Sequence, residues 1–228
     1  MHRRRFLEAA AALAAAPLAG TARAQSRARR PEGSPALPPP TLDDFVLAVK
    51  NDRVQQVREF LARGFDPDSV GADGWPVLVV ASREGNLRTV EALLDAGAKP
   101  DVRNPFGDTA LMLASLNGHV DVARRLRAKG AAVDHAGWTP LIYAATGGHD
   151  ELVRFLLGEG ADIDARSPNG TTALMMAVRE ERFSTAVLLI ERGADVAHAN
   201  ENGATALQWA ERTGDAALVA RLRKAGAR

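Results

Sequence analysis

The chain contains no cysteine. No disulfide can brace it and no thiolate can act as nucleophile or metal ligand, so its stability rests on packing. No apolar run approaches the about 18 residues that a bilayer-spanning helix needs, so no membrane span is expected. Aromatic residues make up only 5% of the sequence, which gives each of them weight. Neither sign of charge prevails, with a formal net charge of +1 over 228 residues. A nucleic-acid partner would call for a basic face, and none is indicated. Against these absences stands a hydrophobic content of 46%, enough to build a core.

The first 24 residues, "MHRRRFLEAAAALAAAPLAGTARA", have a basic head, a short Ala/Leu stretch and then Ala22-Arg23-Ala24. This is the layout of a secretory signal with an A-x-A cleavage site before Gln25. Arg3, Arg4, Arg5, Phe6 and Leu7 fit the core of a twin-arginine signal, while His2 and Glu8 depart from its flanks and leave the general secretory route open. No cysteine follows the apolar stretch, so lipid anchoring is excluded. The expectation is export to a bacterial periplasm. Cleavage removes four Arg and one Glu and takes the formal charge from +1 to −2. Residues 25–40, "QSRARRPEGSPALPPP", read as a Pro-rich, disordered linker, because a polar stretch with five prolines does not pack.

The remainder is periodic. Leu78, Leu111, Leu141, Leu174 and Leu207 head similar phrases, from "PVLVVASREGN" to "TALQWAERTGD", at spacings of 33, 30, 33 and 33 residues. A sixth phrase, "DDFVLAVKNDR", lies upstream. Each phrase reads as a helix. Thr109, Thr139, Thr172 and Thr205 are placed to cap its start, and Pro140 suits a first helical position. Gly85, Gly118, Gly148 and Gly214 mark its end. Leu or Val at three- and four-residue spacing then forms the apolar face of a second helix, as in Leu87, Val90, Leu93 and Leu94. A loop with turn residues at its tip closes the unit. One such helix pair cannot bury its apolar face alone, so neighbouring units have to stack.

The phrase "GWTPLIYAATGGH", with the closing segments "GADID" and "GADV", resembles the ankyrin repeat, over residues 41–228. The resemblance implies an all-α ankyrin-repeat solenoid of about six helix-turn-helix repeats joined by hairpin-like finger loops. The repeats fall at approximately 41–70, 71–103, 104–136, 137–166, 167–199 and 200–228. It implies a concave face formed by inner helices and fingers, and polar terminal repeats that act as caps. Several residues depart from the family phrase. Pro76 stands where the capping Thr should be, which should cost about 1 kcal/mol locally. Glu181 replaces a helix-ending Gly, so its turn is expected to be built otherwise. Arg127 stands where Leu61, Leu94, Leu157 and Ile190 stand, and is expected to reach solvent or an acidic partner, since an unpaired buried charge costs several kcal/mol.

No catalytic constellation is visible. His119 and His149 belong to the Gly-His of the family phrase and are expected to stabilise turns, and His135 and His198 lie on loops. No compact metal-ligand set is present. Asp162 with Asp164, and Glu180 with Glu181, have structural explanations. The reading is a non-enzymatic protein-binding module with no cofactor and no metal, acting as a monomer on an unidentified protein. Two alternatives stay open: an immunity-type inhibitor that covers a secreted toxin or enzyme, and an enzyme whose site is assembled from distant residues.

The candidate contact residues are Trp75, Phe106, Asp108, Leu116, Asn117, Trp138, Tyr143, Thr146, Arg179 and Glu180. Trp75, Phe106 and Trp138 lie beside finger glycines and are expected to line one edge of the concave face, exposed or folded back on the adjacent helix. Tyr143 and Trp209 lie on inner helices, partly buried between repeats. The finger "GAAVDHAGWTPLI" has its two glycines, Gly130 and Gly137, seven residues apart. In three others the glycines are ten apart. This shortened finger should leave the stack intact and open a notch between Phe106 and Trp138.

Overall fold

The computed structural model describes residues 39–228. The expected signal segment, and the linker up to residue 38, lie outside the described residues. Among the described residues, twelve helices follow one another in six pairs. The inner helices are α1 (Leu42–Lys50), α3 (Val77–Glu84), α5 (Ala110–Leu116), α7 (Pro140–Gly147), α9 (Ala173–Arg179) and α11 (Ala206–Thr213). The outer helices are α2 (Val54–Ala62), α4 (Leu87–Asp95), α6 (Val120–Ala128), α8 (Asp150–Gly158), α10 (Phe183–Glu191) and α12 (Ala216–Lys224). Inner helices pack on inner helices of the neighbouring pairs, and outer on outer. Five loops join the pairs and are called here fingers 1 to 5, at residues 63–76, 96–109, 129–139, 159–172 and 192–205.

The start signals work as the sequence predicts. Thr109, Thr139, Thr172 and Thr205 each accept the backbone N–H three residues on, from Met112, Ile142, Met175 and Gln208 at 3.2–3.4 Å. Thr41 caps α1 in the same way. Pro76 gives α3 no side-chain cap. Leu78, Leu111, Leu141 and Leu174 are completely or almost completely buried. On the outer row so are Val90, Leu93, Leu152, Leu156 and Leu189. Burying each such side chain contributes about 1.5–3 kcal/mol.

Glu181 corrects one expectation. The turn after α9 is not built otherwise: Glu181 itself takes the left-handed conformation, at φ 57°. Its counterpart Gly148 sits at φ 81°. Asp52 fills the same place after α1, at φ 49°. A non-Gly residue pays about 1–2 kcal/mol for this backbone. Glu181→Gly is therefore expected to stabilise the fold by roughly 1 kcal/mol, part of the gain being offset by the looser unfolded chain. Denaturant titration reads this directly, and an unchanged midpoint would mean that the strain is relieved elsewhere.

His119 and His149 also do more than stabilise their own turns. His119 Nε2 meets the Arg83 carbonyl at 3.0 Å, and His149 Nε2 the Leu116 carbonyl at 2.9 Å. Arg182 donates to the Thr146 carbonyl in the same manner at 3.2 Å. These carbonyls lie in the last turn of an inner helix, where no intrahelical donor remains. Each of these side chains thus stitches its repeat to the one before. Burial, with Arg182 nearby, holds the His149 imidazole below its ordinary pKa, so at neutral pH it is uncharged and donates from Nε2. A second ladder runs along the finger bases. Asp68, Asp101, Asp134 and Asp164 accept the backbone N–H of Lys99, Ala132, Asp162 and Asp195 in the next unit, at 2.8–3.0 Å.

Arg127 does find an acidic partner. Its guanidinium lies 3.1 Å from Glu159 Oε2 and also donates to the Ala131 carbonyl. In the terminal repeats, Asp43, Asp44, Lys50, Asp52, Arg53 and Arg58 are exposed as a cap requires. The first repeat is nonetheless not wholly polar, because Leu42 and Leu47 are exposed too. It holds its own interior with a cluster of Phe45, Phe60 and Phe65, ring centroids 5.0–5.6 Å apart.

Ser82 and Ser115 occupy equivalent places on α3 and α5, are completely buried, and have no hydrogen-bond partner for Oγ. Ala145 fills the corresponding place on α7. A buried hydroxyl without a partner costs about 1–3 kcal/mol. Ser82→Ala and Ser115→Ala are each expected to raise the unfolding free energy by about 1 kcal/mol, and to do so additively, within the roughly 0.5 kcal/mol usual for separate sites. A loss of stability in calorimetry would show that the hydroxyls are satisfied in solution.

Candidate protein-binding face

The repeat register sorts the inner-helix residues into rows. Counting from the buried Ala48, Ala81, Ala114, Ala144, Ala177 and Ala210, the second residue on is Lys50, Arg83, Leu116, Thr146, Arg179 and Arg212. The third is Asn51, Glu84, Asn117, Gly147, Glu180 and Thr213. Arg83 pairs with Glu84 at 2.7 Å, and Arg179 with Glu180 at 2.8 Å. Lys50 pairs with Asp73 of finger 1 at 3.0 Å. Between these ion pairs, repeats three and four present an uncharged stretch of Leu116, Asn117, Thr146 and Gly147. Exposed pairs of this kind add little to stability, but they frame that stretch with matched charges.

The ten candidate contact residues divide sharply by exposure. Among the described residues, Phe106 is an exposed aromatic side chain, at 40% exposure, on the tip of finger 2. Trp138, Leu116, Asn117 and Glu180 are half-buried, and Arg179 is exposed. Trp75 is not an exposed tip residue but is folded back and only 8% exposed. The Arg83 guanidinium lies 4.9 Å above its ring centroid, and Phe106 meets its edge at 6.1 Å. Tyr143 is likewise buried, more deeply than expected, and donates its hydroxyl to Asp108. Asp108 itself is buried and takes a second bond from Asn104 Nδ2 at 3.1 Å. Thr146 is buried and bonds back to the Ile142 carbonyl at 2.7 Å. The aromatics therefore form two edge-on pairs, Trp75–Phe106 and Trp138–Tyr143, the latter at 5.8 Å.

These contacts assign different tasks. Trp75, Asp108 and Tyr143 are supports that set the angle of what stands above them. Phe106, Leu116, Trp138 and Arg179 reach the surface, at least in part. Leu47 is 52% exposed on α1, at the register position where Val80, Leu113, Tyr143 and Met176 are buried in the following repeats. The Arg83 guanidinium, paired with Glu84, is the platform on which Trp75 stacks, and nothing in the repeat phrase signals it.

The shortened finger 3 differs in its hydrogen bonds. In fingers 1, 2, 4 and 5 a hairpin bond crosses the tip: Gly71 N to Trp75 O, Asn104 N to Asp108 O, Ser167 N to Thr171 O and Asn200 N to Ala204 O, each 3.0 Å. Finger 3 shows no counterpart among the described residues. The deletion removed the hairpin tip and left the Thr139 cap and the buried Leu141 in place.

Among the described residues, no group of three or more His, Cys, Asp or Glu side chains is disposed to hold a metal ion. No helix among them is long and apolar enough to cross a membrane.

A family model described as ankyrin repeats matches residues 45–134, 78–167 and 159–228. Among solved structures, an ankyrin repeat domain from Acinetobacter baumannii is 29% identical with a TM-score of 0.72, covering 81% of this chain and 98% of that one. The human ASB11 ankyrin repeat domain is 26% identical with a TM-score of 0.74, covering 81% and 84%. The cyclin-dependent kinase 4 inhibitor B of Bos taurus is 36% identical over 118 residues, which is 37% of this chain and 90% of that protein. Other relatives are much longer than their matching part. The chain spans 8% of a glycerophosphocholine phosphodiesterase of Schizosaccharomyces pombe and 25% of an ankyrin repeat protein of Pseudomonas aeruginosa.

Proposed function

We propose that this chain, which belongs to the ankyrin repeat family, is exported to the periplasm and there binds a folded protein partner, as a monomer, through its fingers and inner-helix face. Ankyrin repeats are protein–protein interaction modules. The observation that carries the reading is Phe106: a large aromatic side chain, open on a finger tip, braced edge-on by the buried Trp75. Aromatic anchors on a rigid platform bind without losing much ordering entropy. The uncharged stretch of repeats three and four supplies the centre, with Leu116 as its apolar side chain, and the Arg–Glu pairs supply a charged rim.

The test is capture. The tagged mature chain is passed over a periplasmic extract of the source cell, and what it retains is identified by mass spectrometry. A defined protein retained by the native chain and lost with Phe106→Ala supports the reading. Equal retention by both excludes this face. Export has its own test, because an intact mass that begins at Gln25 is expected for the protein recovered from the periplasm. A mass that includes Met1 counts against cleavage.

A second reading makes the chain an inhibitor that covers the active site of a secreted toxin or enzyme. The observation favouring it is the likeness to a relative named as an inhibitor of cyclin-dependent kinase 4. The captured protein decides between the two readings, since an enzyme or toxin whose activity falls on binding selects the second.

A further inference from the structure

The shortened finger 3 carries a polar cluster that the binding reading does not use. His135 is half-buried, with its side chain 10% exposed. Its Nδ1 lies 3.0 Å from Arg103 Nη2 of finger 2. The same guanidinium donates from Nη1 to the Gly107 carbonyl at 2.6 Å, next to Phe106. Arg103 thus bridges the tip of finger 2 to the ring of finger 3, across the gap where the missing hairpin would stand.

Hydrogen-bond chemistry fixes the state of the ring. Arg has donors only, so His135 Nδ1 accepts, and the imidazole is neutral with its proton on Nε2. That Nε2 is buried without a partner. Asp101 Oδ1 of finger 2 lies 3.9 Å from it, and Asp134 Oδ1 of finger 3 is also buried without a partner. Three charged groups act on the ring: Arg103 at Nδ1, Asp101 near Nε2, and Asp134, the residue before it in the chain.

We propose that Arg103 and His135 form a latch, closed while His135 is neutral, that holds finger 2 and its Phe106 against the shortened finger 3 and opens when His135 is protonated. This deepens the binding reading above and rests on it for its biological use. Protonation places an N–H at Nδ1, where the Arg103 N–H already points, so a donor faces a donor and a cation faces a cation. The charged ring turns toward the Asp101 and Asp134 carboxylates, of which Asp134 Oδ1 has no partner in the closed state. Arg103 then keeps Gly107, and the tip of finger 2 loses this tie to finger 3 while its contacts with Trp75 and Tyr143 remain. Burial first, and Arg103 second, hold the imidazole below its ordinary value of 6.5. The latch is consequently closed at neutral pH, and it opens as the pH falls below the ordinary histidine range.

Side-chain and backbone NMR of the full mature chain, from pH 8 to pH 5, tests this. His135 Nδ1 and Nε2 are expected to titrate with a midpoint below 6.5, and the Gly107 amide to shift along the same curve. His135→Gln offers Arg103 a non-titrating acceptor, and the Gly107 transition is expected to vanish in it. Asp101→Asn keeps the acceptor for the Ala132 N–H but not the charge, and the His135 midpoint is expected to fall further. The latch is overturned if Gly107 does not follow His135, if its transition survives His135→Gln, or if Asp101→Asn leaves the midpoint in place. None of these readouts needs a partner. A latch that titrates while partner capture stays constant with pH counts against Phe106 as an anchor and leaves the latch standing.

Discussion

Replacing Leu141 by alanine is expected to lower the unfolding free energy by about 3 kcal/mol, within the about 2–5 kcal/mol range for Leu to Ala in a core, and to divide the unfolding transition. Leu141 is completely buried at the start of α7, and α7 packs on α5 before it and on α9 after it. In a solenoid each repeat contacts only its neighbours, so stability is close to a sum of repeat and interface terms. A cavity in the fourth repeat therefore weakens two interfaces at once. The three tryptophans make this observable, because Trp75, Trp138 and Trp209 stand in the second, fourth and sixth repeats. Chains that keep only Trp75 or only Trp209 report the two ends separately in a urea titration. In the native background the two curves should coincide. With Leu141→Ala they should separate, the Trp209 end unfolding first because it rests on fewer repeats. A loss below about 1 kcal/mol, or coincident curves, would deny the fourth repeat this coupling role.

What the sequence discloses and what it hides divide along a physical line. The Leu and Thr positions are legible because the helix period and the repeat period act on every unit alike. Thr139 and Leu141 do in the structure what their place in the phrase implies. Side-chain direction has no such period. Trp75 and Trp138 both follow a finger glycine, yet one folds under Arg83 and Phe106 while the other rests on Tyr143. Asp108 follows Gly107 in the same place and becomes a buried acceptor for Tyr143, 35 residues away. Glu181 shows a different limit. The repeat demands a left-handed residue there, and the backbone supplies it at a cost that the neighbouring packing outweighs, so the missing glycine gives no visible change of turn. The missing three residues of finger 3 were plain in the spacing. Their consequence was not, because the contact that replaces the hairpin joins Arg103 to His135 across 32 positions.

Phe106→Ala is expected to weaken partner binding about 30-fold, the effect of losing a central aromatic anchor worth roughly 2 kcal/mol. The side chain is 40% exposed, so its removal leaves little cavity in the fold. Its lower edge rests on Trp75, and that contact adds about 0.5–1.5 kcal/mol at most to stability, so the variant stays folded and the measurement reads binding. Arg179→Ala serves as contrast. Its ion pair with Glu180 is exposed at the rim, and truncation there should change affinity by no more than about threefold, while reducing the dependence of the association rate on salt. Tyr143→Phe gives a third level. It removes a buried hydroxyl from Asp108 without touching the surface, so an affinity loss in that variant measures how far the buried support governs the angle of the display. If Phe106→Ala and Arg179→Ala weaken binding equally, the energy is spread over the face and no aromatic anchor exists. If Phe106→Ala alone has the large effect, the partner seats itself on the tip of finger 2.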